Sequence, residues 1–304
     1  NSAQGGLEGP TVAAYRKAID IMGNTSDVDI KLLAIPGIRD ESVTDYAISA
    51  VENRFDAMYI MDIEERDTIN RVVTSSNASQ VVDVSNTITA FKNRSLDTSF
   101  AASYFPDVIM TDPKTNSNVK APASVAVLGA FALNDSVGHP WFAPAGFTRG
   151  SLDTSLFASV DLNRCNLDDL YDARINPITD FPGKPLTLWG QKTLQVAATS
   201  LDRVNVRRLL IEVRRQVKAV ARRLLFEPNR PETLAKFSSL VNPIMQSIQQ
   251  RSGVDRYKVV IDTSTTTQAD VENNTIRGKI FLQPTRTAEF ISLDFVVTNA
   301  GSEI

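Results

Sequence analysis

The sequence is poor in the residues that most often carry chemistry. Its 304 residues hold one histidine, one cysteine and two tryptophans, and aromatics make up only 7%. A single cysteine, Cys165, excludes internal disulfides and a thiolate metal cage. It is flanked by Arg164 and Asn166 and reads as buried filler, not as a nucleophile. A single histidine means that any hydrolytic triad must use His139, which sits in Gly-His-Pro beside Trp141 and reads as a packing residue of an aromatic loop. No apolar run approaches the roughly 20 residues that a membrane-spanning helix needs. No basic-then-apolar leader opens the chain, and no GxxxxGK[ST] phosphate loop occurs. The acidic clusters Asp62/Glu64/Glu65 and Asp168/Asp169/Asp172 lack the alternating Asp/Asn-Gly loop of a calcium site and are expected as solvated charge. The first residue is Asn1, so the chain reads as a processed product or an excised piece.

What is present is an ordinary globular composition, 42% apolar and 22% charged, in a chain long enough for two domains. The first half alternates helix and strand. Helices are expected at Pro10–Met22, Glu41–Arg54, Asp83–Arg94 and Ala121–Leu133. Buried strands are expected at Val28–Ile35 and Ala57–Ile63, and extended segments at Ser99–Tyr104 and Val108–Thr111. That order predicts an α/β fold, a mainly parallel sheet flanked by helices. Between Ser151 and Gln191 the periodicity fades and turn signals accumulate, so a junction is expected near Gly183. The division is then 1–183 and 184–304. The second part reads as a smaller α+β domain with two long helices and strands at Tyr257–Asp262, Gly278–Gln283 and Glu289–Thr298.

The most distinctive segment is Asp202–Asn229. Val206, Leu210, Val213, Val217, Val220 and Leu224 recur at steps of three and four, one continuous helical stripe. At about 100° per residue, Arg208, Arg215 and Arg222 should point away from that stripe, with Arg207, Arg214 and Lys218 beside it. Arg203 to Arg223 holds eight basic residues and one acid, Glu212; this local charge of +7 in a chain of net −3 leaves −10 elsewhere. Three uses stay open on physics alone: a solvated face, a nucleic-acid helix, or a face that docks on an acidic protein surface. Base-reading polar or aromatic residues are scarce on it, which disfavours nucleic acid.

Several stretches, in order, resemble the tail sheath proteins of contractile-tailed bacteriophages. They are GGLEG at Gly5–Gly9, LLAIPGI at Leu32–Ile38, PAGFTRG at Pro144–Gly150 and INPI at Ile175–Ile178. LWGQKTL at Leu188–Leu194, DRVNVRRL at Asp202–Leu209 and FEPN at Phe226–Asn229 follow, and the closing strand pattern runs from Tyr257 to Ile291. The resemblance implies a subtilisin-like α/β domain without proteolysis, and a C-terminal domain facing an inner tube. It implies a non-enzymatic virion component without cofactor, metal, membrane or nucleic-acid ligand, which polymerises around the tail tube protein and contracts to drive genome delivery. Its partners would be neighbouring sheath subunits, the tube, the baseplate and the tail terminator. By this carry-over Arg207, Arg208, Arg214, Arg215, Lys218 and Arg222 would face the tube. Phe290, Ile291, Ser292, Leu293, Asp294 and Phe295 are the candidate strand shared between subunits, with pairing inside the same subunit left as the alternative. The family's N-terminal arm is not matched, so this piece by itself is expected to be monomeric. The sheath of a bacterial contractile injection machine, of pyocin or type VI secretion type, shares the fold and is the alternative.

Overall fold

The computed structural model describes residues 4–6, 9–74, 80–262 and 264–289. A short antiparallel pair, β1 (Gln4–Gly6) and β2 (Gly9–Thr11), leads into α1 (Val12–Gly23). Then come β3 (Leu32–Ala34), α2 (Glu41–Arg54), β4 (Met58–Asp62), α3 (Val84–Asn93), β5 (Ala101–Phe105), β6 (Val108–Thr111) and β7 (Asn118–Ala121). Helix α4 (Ala123–Val137) and the single turn α5 (Gly146–Arg149) precede β8 (Ser155–Ala158), α6 (Arg164–Asp172), β9 (Ile175–Thr179) and β10 (Thr187–Leu188). The remainder is α7 (Val204–Arg223), α8 (Pro231–Gln250), β11 (Val254–Val260), α9 (Gln268–Glu272) and β12 (Lys279–Pro284). Helix starts follow local chemistry. Thr11, Asp40 and Asp83 each accept a backbone N–H of the first turn through a side-chain oxygen, at 3.1, 2.9 and 2.8 Å.

The central sheet runs β10-β9-β5-β4-β3, parallel throughout except for the antiparallel edge β10. Strand β4 is buried along its whole length, and its pleat splits it between two cores. Tyr59 and Met61 join Val43, Ala47 and Val51 of α2, Phe91 of α3 and Leu170 of α6. Met58 and Ile60 join Val127 and Phe131 of α4, with Val204 and Ile211 of α7. Each such fully buried apolar side chain contributes about 1.5–3 kcal/mol. A three-stranded antiparallel sheet, β7-β6-β8, adds Val108 and Ala158 to this second core.

A third core forms where Leu209, Val213 and Val220 of α7 meet Val241, Met245 and Ile248 of α8 and Val254 of β11. The antiparallel pair β11–β12 covers it. Trp141 closes the seam, donating from Nε1 to the Arg251 carbonyl at 3.0 Å. Helix α7 therefore belongs to two cores at once.

Some expectations are corrected here. Val28–Ile35 is not a buried strand: only Leu32–Ala34 is extended, half-buried at the sheet edge with β4 as its one strand partner among the described residues. Between Ser151 and Gln191, where the sequence shows little periodicity, lie β8, α6, β9 and β10. Past Gly183, β10 still pairs with β9, and Leu186, Leu188 and Leu194 are buried in the cores of the central sheet. Cys165 is exposed on the first turn of α6 instead of buried. The expected closing strand lies outside the described residues except for Glu289, and with it Phe290, Ile291, Ser292, Leu293, Asp294 and Phe295.

Candidate docking face on the basic helix

Helix α7 is amphipathic, as its spacing predicts, but its arginines divide into two groups. The first turns are buried on every side. Arg207 is 8% exposed and its guanidinium lies 3.9 Å above the Phe100 ring. It donates from Nε to the Ser99 carbonyl at 3.2 Å and from Nη2 to the Ser99 hydroxyl. Among the described residues it has no carboxylate partner, and burial pushes its pKa down to about 10. Arg208, 5% exposed, grips Asp135 through both carboxylate oxygens at 2.7 and 2.6 Å and lies 4.6 Å over Phe131. Arg215 bonds Asp29 at 2.6 Å and the Ile30 carbonyl at 3.1 Å. A planar, weakly hydrated guanidinium suits this role: it stacks on rings while its edge donates to oxygen.

These contacts correct the expectation that Arg208 and Arg215 point outward, and that Arg207 flanks an open face. The helical wheel holds, but its reference stripe was incomplete. Val204 and Ile211, seven residues apart, form a second apolar stripe against the α4 side of the sheet, so the surface around Arg207 and Arg208 is closed. Signals for this existed in Phe55 and Phe100, which meet edge to face at 5.6 Å and receive Arg214 and Arg207 on their rings. Only the fold brings them to the helix. Glu212 is used internally too, accepting from Lys31 and Gln216 at 2.8 Å each. Burial works against its charge, but these bonds prevail and lower its pKa.

The second half of α7, Arg215 apart, is different. Arg214, Lys218, Arg222 and Arg223 are exposed and form no ion pair among the described residues. Arg214, Lys218 and Arg222 recur every four residues, about 6 Å apart along one side of the helix. Arg214 rests at 5.0 Å on Phe55, itself half-exposed. The result is an open cationic row on a buttressed helix.

The remaining sequence candidates fall into buried and exposed sets. Asp62 and Glu65 are 2% and 1% exposed, which overturns their reading as solvated charge. Asp62 accepts from the Gly37 N–H at 2.9 Å and from the N–H and hydroxyl of Ser124 at 2.7 Å each, tying α4 to the sheet. Glu65 and Asp107 share Lys120, at 2.7 and 3.4 Å, and Arg39, at 3.6 and 2.6 Å. The network sits at the carboxyl ends of strands β4 and β5 as a mutually neutralised clamp. His139 stacks on Trp141 at 4.6 Å and forms no ion pair among the described residues. Asp168, Asp169 and Asp172 are exposed. No group of three or more metal-ligating side chains converges among the described residues, and no helix there is long and apolar enough to cross a membrane.

The family model of the phage tail sheath protein central domain matches residues 8–194, more than half of the chain. The chain belongs to the phage tail sheath family. It is 28% identical to the tail sheath protein of Vibrio phage KVP40 over 289 residues, covering 93% of this chain and 42% of that protein. The chain thus spans less than half the length of the curated relatives it matches. Among solved structures, the fold superposes on a chain of the anti-feeding prophage baseplate with a TM-score of 0.73 at 21% identity, covering 94% of this chain and 73% of that one. It also matches the contracted sheath complex of an extracellular contractile injection system, with a TM-score of 0.71 at 25% identity over 88% of this chain and 71% of that one.

Proposed function

We propose that this chain is part of a structural, non-enzymatic subunit of a contractile bacteriophage tail sheath, a virion component assembled in the host cytoplasm. It would polymerise around the tail tube, bounded by baseplate and terminator, and contract to drive the tube through the host envelope. The observation that carries this is the family match over 8–194, joined to a cationic row that forms no ion pair among the described residues. The tube-facing set narrows to Arg214, Lys218 and Arg222, because Arg207 and Arg208 are buried and Arg215 is held by Asp29. We keep two domains in this reading, an α/β domain and a tube-facing α+β domain. Pairing of β10 with β9 favours a junction after Leu194 over one at Gly183.

In mechanical terms the row acts as a latch. Each exposed charge pair with an acidic tube is worth about 0–1 kcal/mol and is screened by salt, so the row holds collectively and releases stepwise. Sharing of the strand at Phe290–Phe295 between subunits would supply linkage that survives contraction, since main-chain bonds of about 0.5–1.5 kcal/mol each do not depend on the moving face. The full-length protein is expected to form striated tubes by negative-stain microscopy, and the double reversal Arg214→Glu/Lys218→Glu to abolish assembly on tail tubes while leaving the fold intact. Normal sheaths from the double variant would end the latch reading. The likeness to the contracted injection-system sheath supports a second reading, in which the same subunit serves a bacterial contractile injection machine.

A further inference from the structure

The cationic row ends in an apolar feature that stays uncovered among the described residues. Leu224 closes α7 and is buried, but the next two residues turn outward: Leu225 is 63% exposed and Phe226 fully so, at 104%. Phe226 also has φ +69°, a left-handed conformation that glycine or asparagine adopts readily and a bulky aromatic residue rarely does. Its ring makes no aromatic or cation contact among the described residues. Yet the turn that carries it is held firmly from both sides. The Pro228 carbonyl accepts from the Thr233 hydroxyl at 2.7 Å and the Arg230 N–H at 2.9 Å, and Asn229 donates to the Thr275 carbonyl at 3.1 Å. Backbone strain and full exposure of a large ring, on a fixed turn, gain the isolated chain nothing.

We infer that Phe226, with Leu225 beside it, is the apolar anchor of the α7 docking face, seating in a notch on the acidic protein surface that the cationic row addresses. This rests on the reading of that row as a docking face. The partner's chemistry follows from charge: Arg222 and Arg223 stand immediately before the anchor, exposed and without ion pairs among the described residues, so the surface around the notch must be acidic. A pre-set aromatic side chain flanked by charge is the arrangement in which a few residues dominate an interface, because little conformational freedom remains to be lost on docking.

The test uses the full-length protein carrying Phe226→Gly or Phe226→Asn, with stripped tail tubes from the same particle as probe. Both replacements suit the left-handed turn, so thermal stability is expected to hold or rise. Tube binding is expected to fall about thirtyfold at every salt concentration, because loss of an apolar contact shifts affinity without altering its salt dependence. Lys218→Glu should instead flatten the salt dependence. Unchanged tube binding by both Phe226 variants would overturn the anchor and leave the cationic row standing. Lowered stability in both would make the ring structural. Loss of tube-free self-assembly would put the ring between copies of the chain, which also overturns the proposal. A wild-type protein whose tube binding ignores salt would remove the row, and the anchor's partner with it.

Discussion

The two halves of α7 use one residue type for opposite ends. In the first half, arginines are internal fasteners: Arg207 on Phe100, Arg208 between Phe131 and Asp135. In the second half, Arg214, Lys218 and Arg222 remain open to solvent. The helix has not changed, but its neighbours have. The first turns run between two cores, whereas the later turns pack against the third and touch the rest of the fold through Arg214 on Phe55 and Arg215 on Asp29. Positive charge on a helix is therefore no measure of its availability, and a docking face is defined by what the rest of the fold leaves uncovered. The internal fasteners also serve the row, since they fix the angle at which it is presented.

The sharpest way to break this comparison is to unfasten the first half. Asp135→Ala leaves the Arg208 guanidinium buried, with one of its nitrogens already lacking a hydrogen-bond partner. Removing one partner of a buried pair costs about 3–5 kcal/mol. Asp135 is partly solvated, at 35% side-chain exposure, so about 3 kcal/mol is expected here by urea denaturation. Arg208→Leu should cost less, because it leaves behind a carboxylate that water reaches. A negligible loss for Asp135→Ala would mean that Arg208 contributes by packing alone.

Arg207 sharpens the same point through pH. Its pKa is held near 10, below the ordinary arginine range, by burial without a carboxylate. The charged form is thus penalised in the folded state, and the penalty is fully present below pH 10. As pH rises through 10 the folded protein releases this proton while the unfolded chain keeps it, so stability owed to this site increases. Relative to Arg207→Met, the wild type should gain about 1 kcal/mol per pH unit between pH 10 and 11. Unfolding midpoints of the pair at pH 8, 10 and 11 give this difference, and a constant gap would show that the guanidinium is solvated after all.

These fasteners also show what sequence patterns carry and what they omit. Strand β4 and helix α2 were legible because a fully buried strand and a one-faced helix each have a local signature in Met58–Asp62 and in Val43, Ala47 and Val51. Strand β9 was not. Asn176-Pro177 reads as a turn, yet Asn176 lies inside the sheet with its amide donating to the carbonyls of Ser103 and Lys192 at 3.0 and 2.8 Å. Side-chain bonds there take over part of the work of a ladder, and no periodicity reports it. The same limit applied to the candidate site. The stripe from Val206 to Leu224 was correct, but a second stripe at Val204 and Ile211 gains meaning only once a second core exists. Of the three residues that the wheel pointed outward only Arg222 is exposed, while Arg214 and Lys218, placed beside the stripe, are exposed as well.

The smallest expected effect tests whether the open row is truly uncommitted. Arg214, Lys218 and Arg222 are like charges at successive i, i+4 positions, an arrangement that costs a helix a few tenths of a kcal/mol. Lys218→Glu turns both repulsive steps into attractive ones without removing any ion pair seen in the fold. The isolated chain is then expected to gain about 0.5 kcal/mol in urea denaturation, with the gain fading at high salt. Arg222→Glu should behave differently, since a cation in the last turn favours the helix dipole and its reversal cancels the pairwise gain. A loss above about 1 kcal/mol for Lys218→Glu would exceed what an uncommitted surface charge ordinarily costs and would place Lys218 among the fasteners. A small gain in stability together with loss of tube binding would separate the two halves of α7 by experiment, because charge kept at a cost to the monomer is charge meant for a partner.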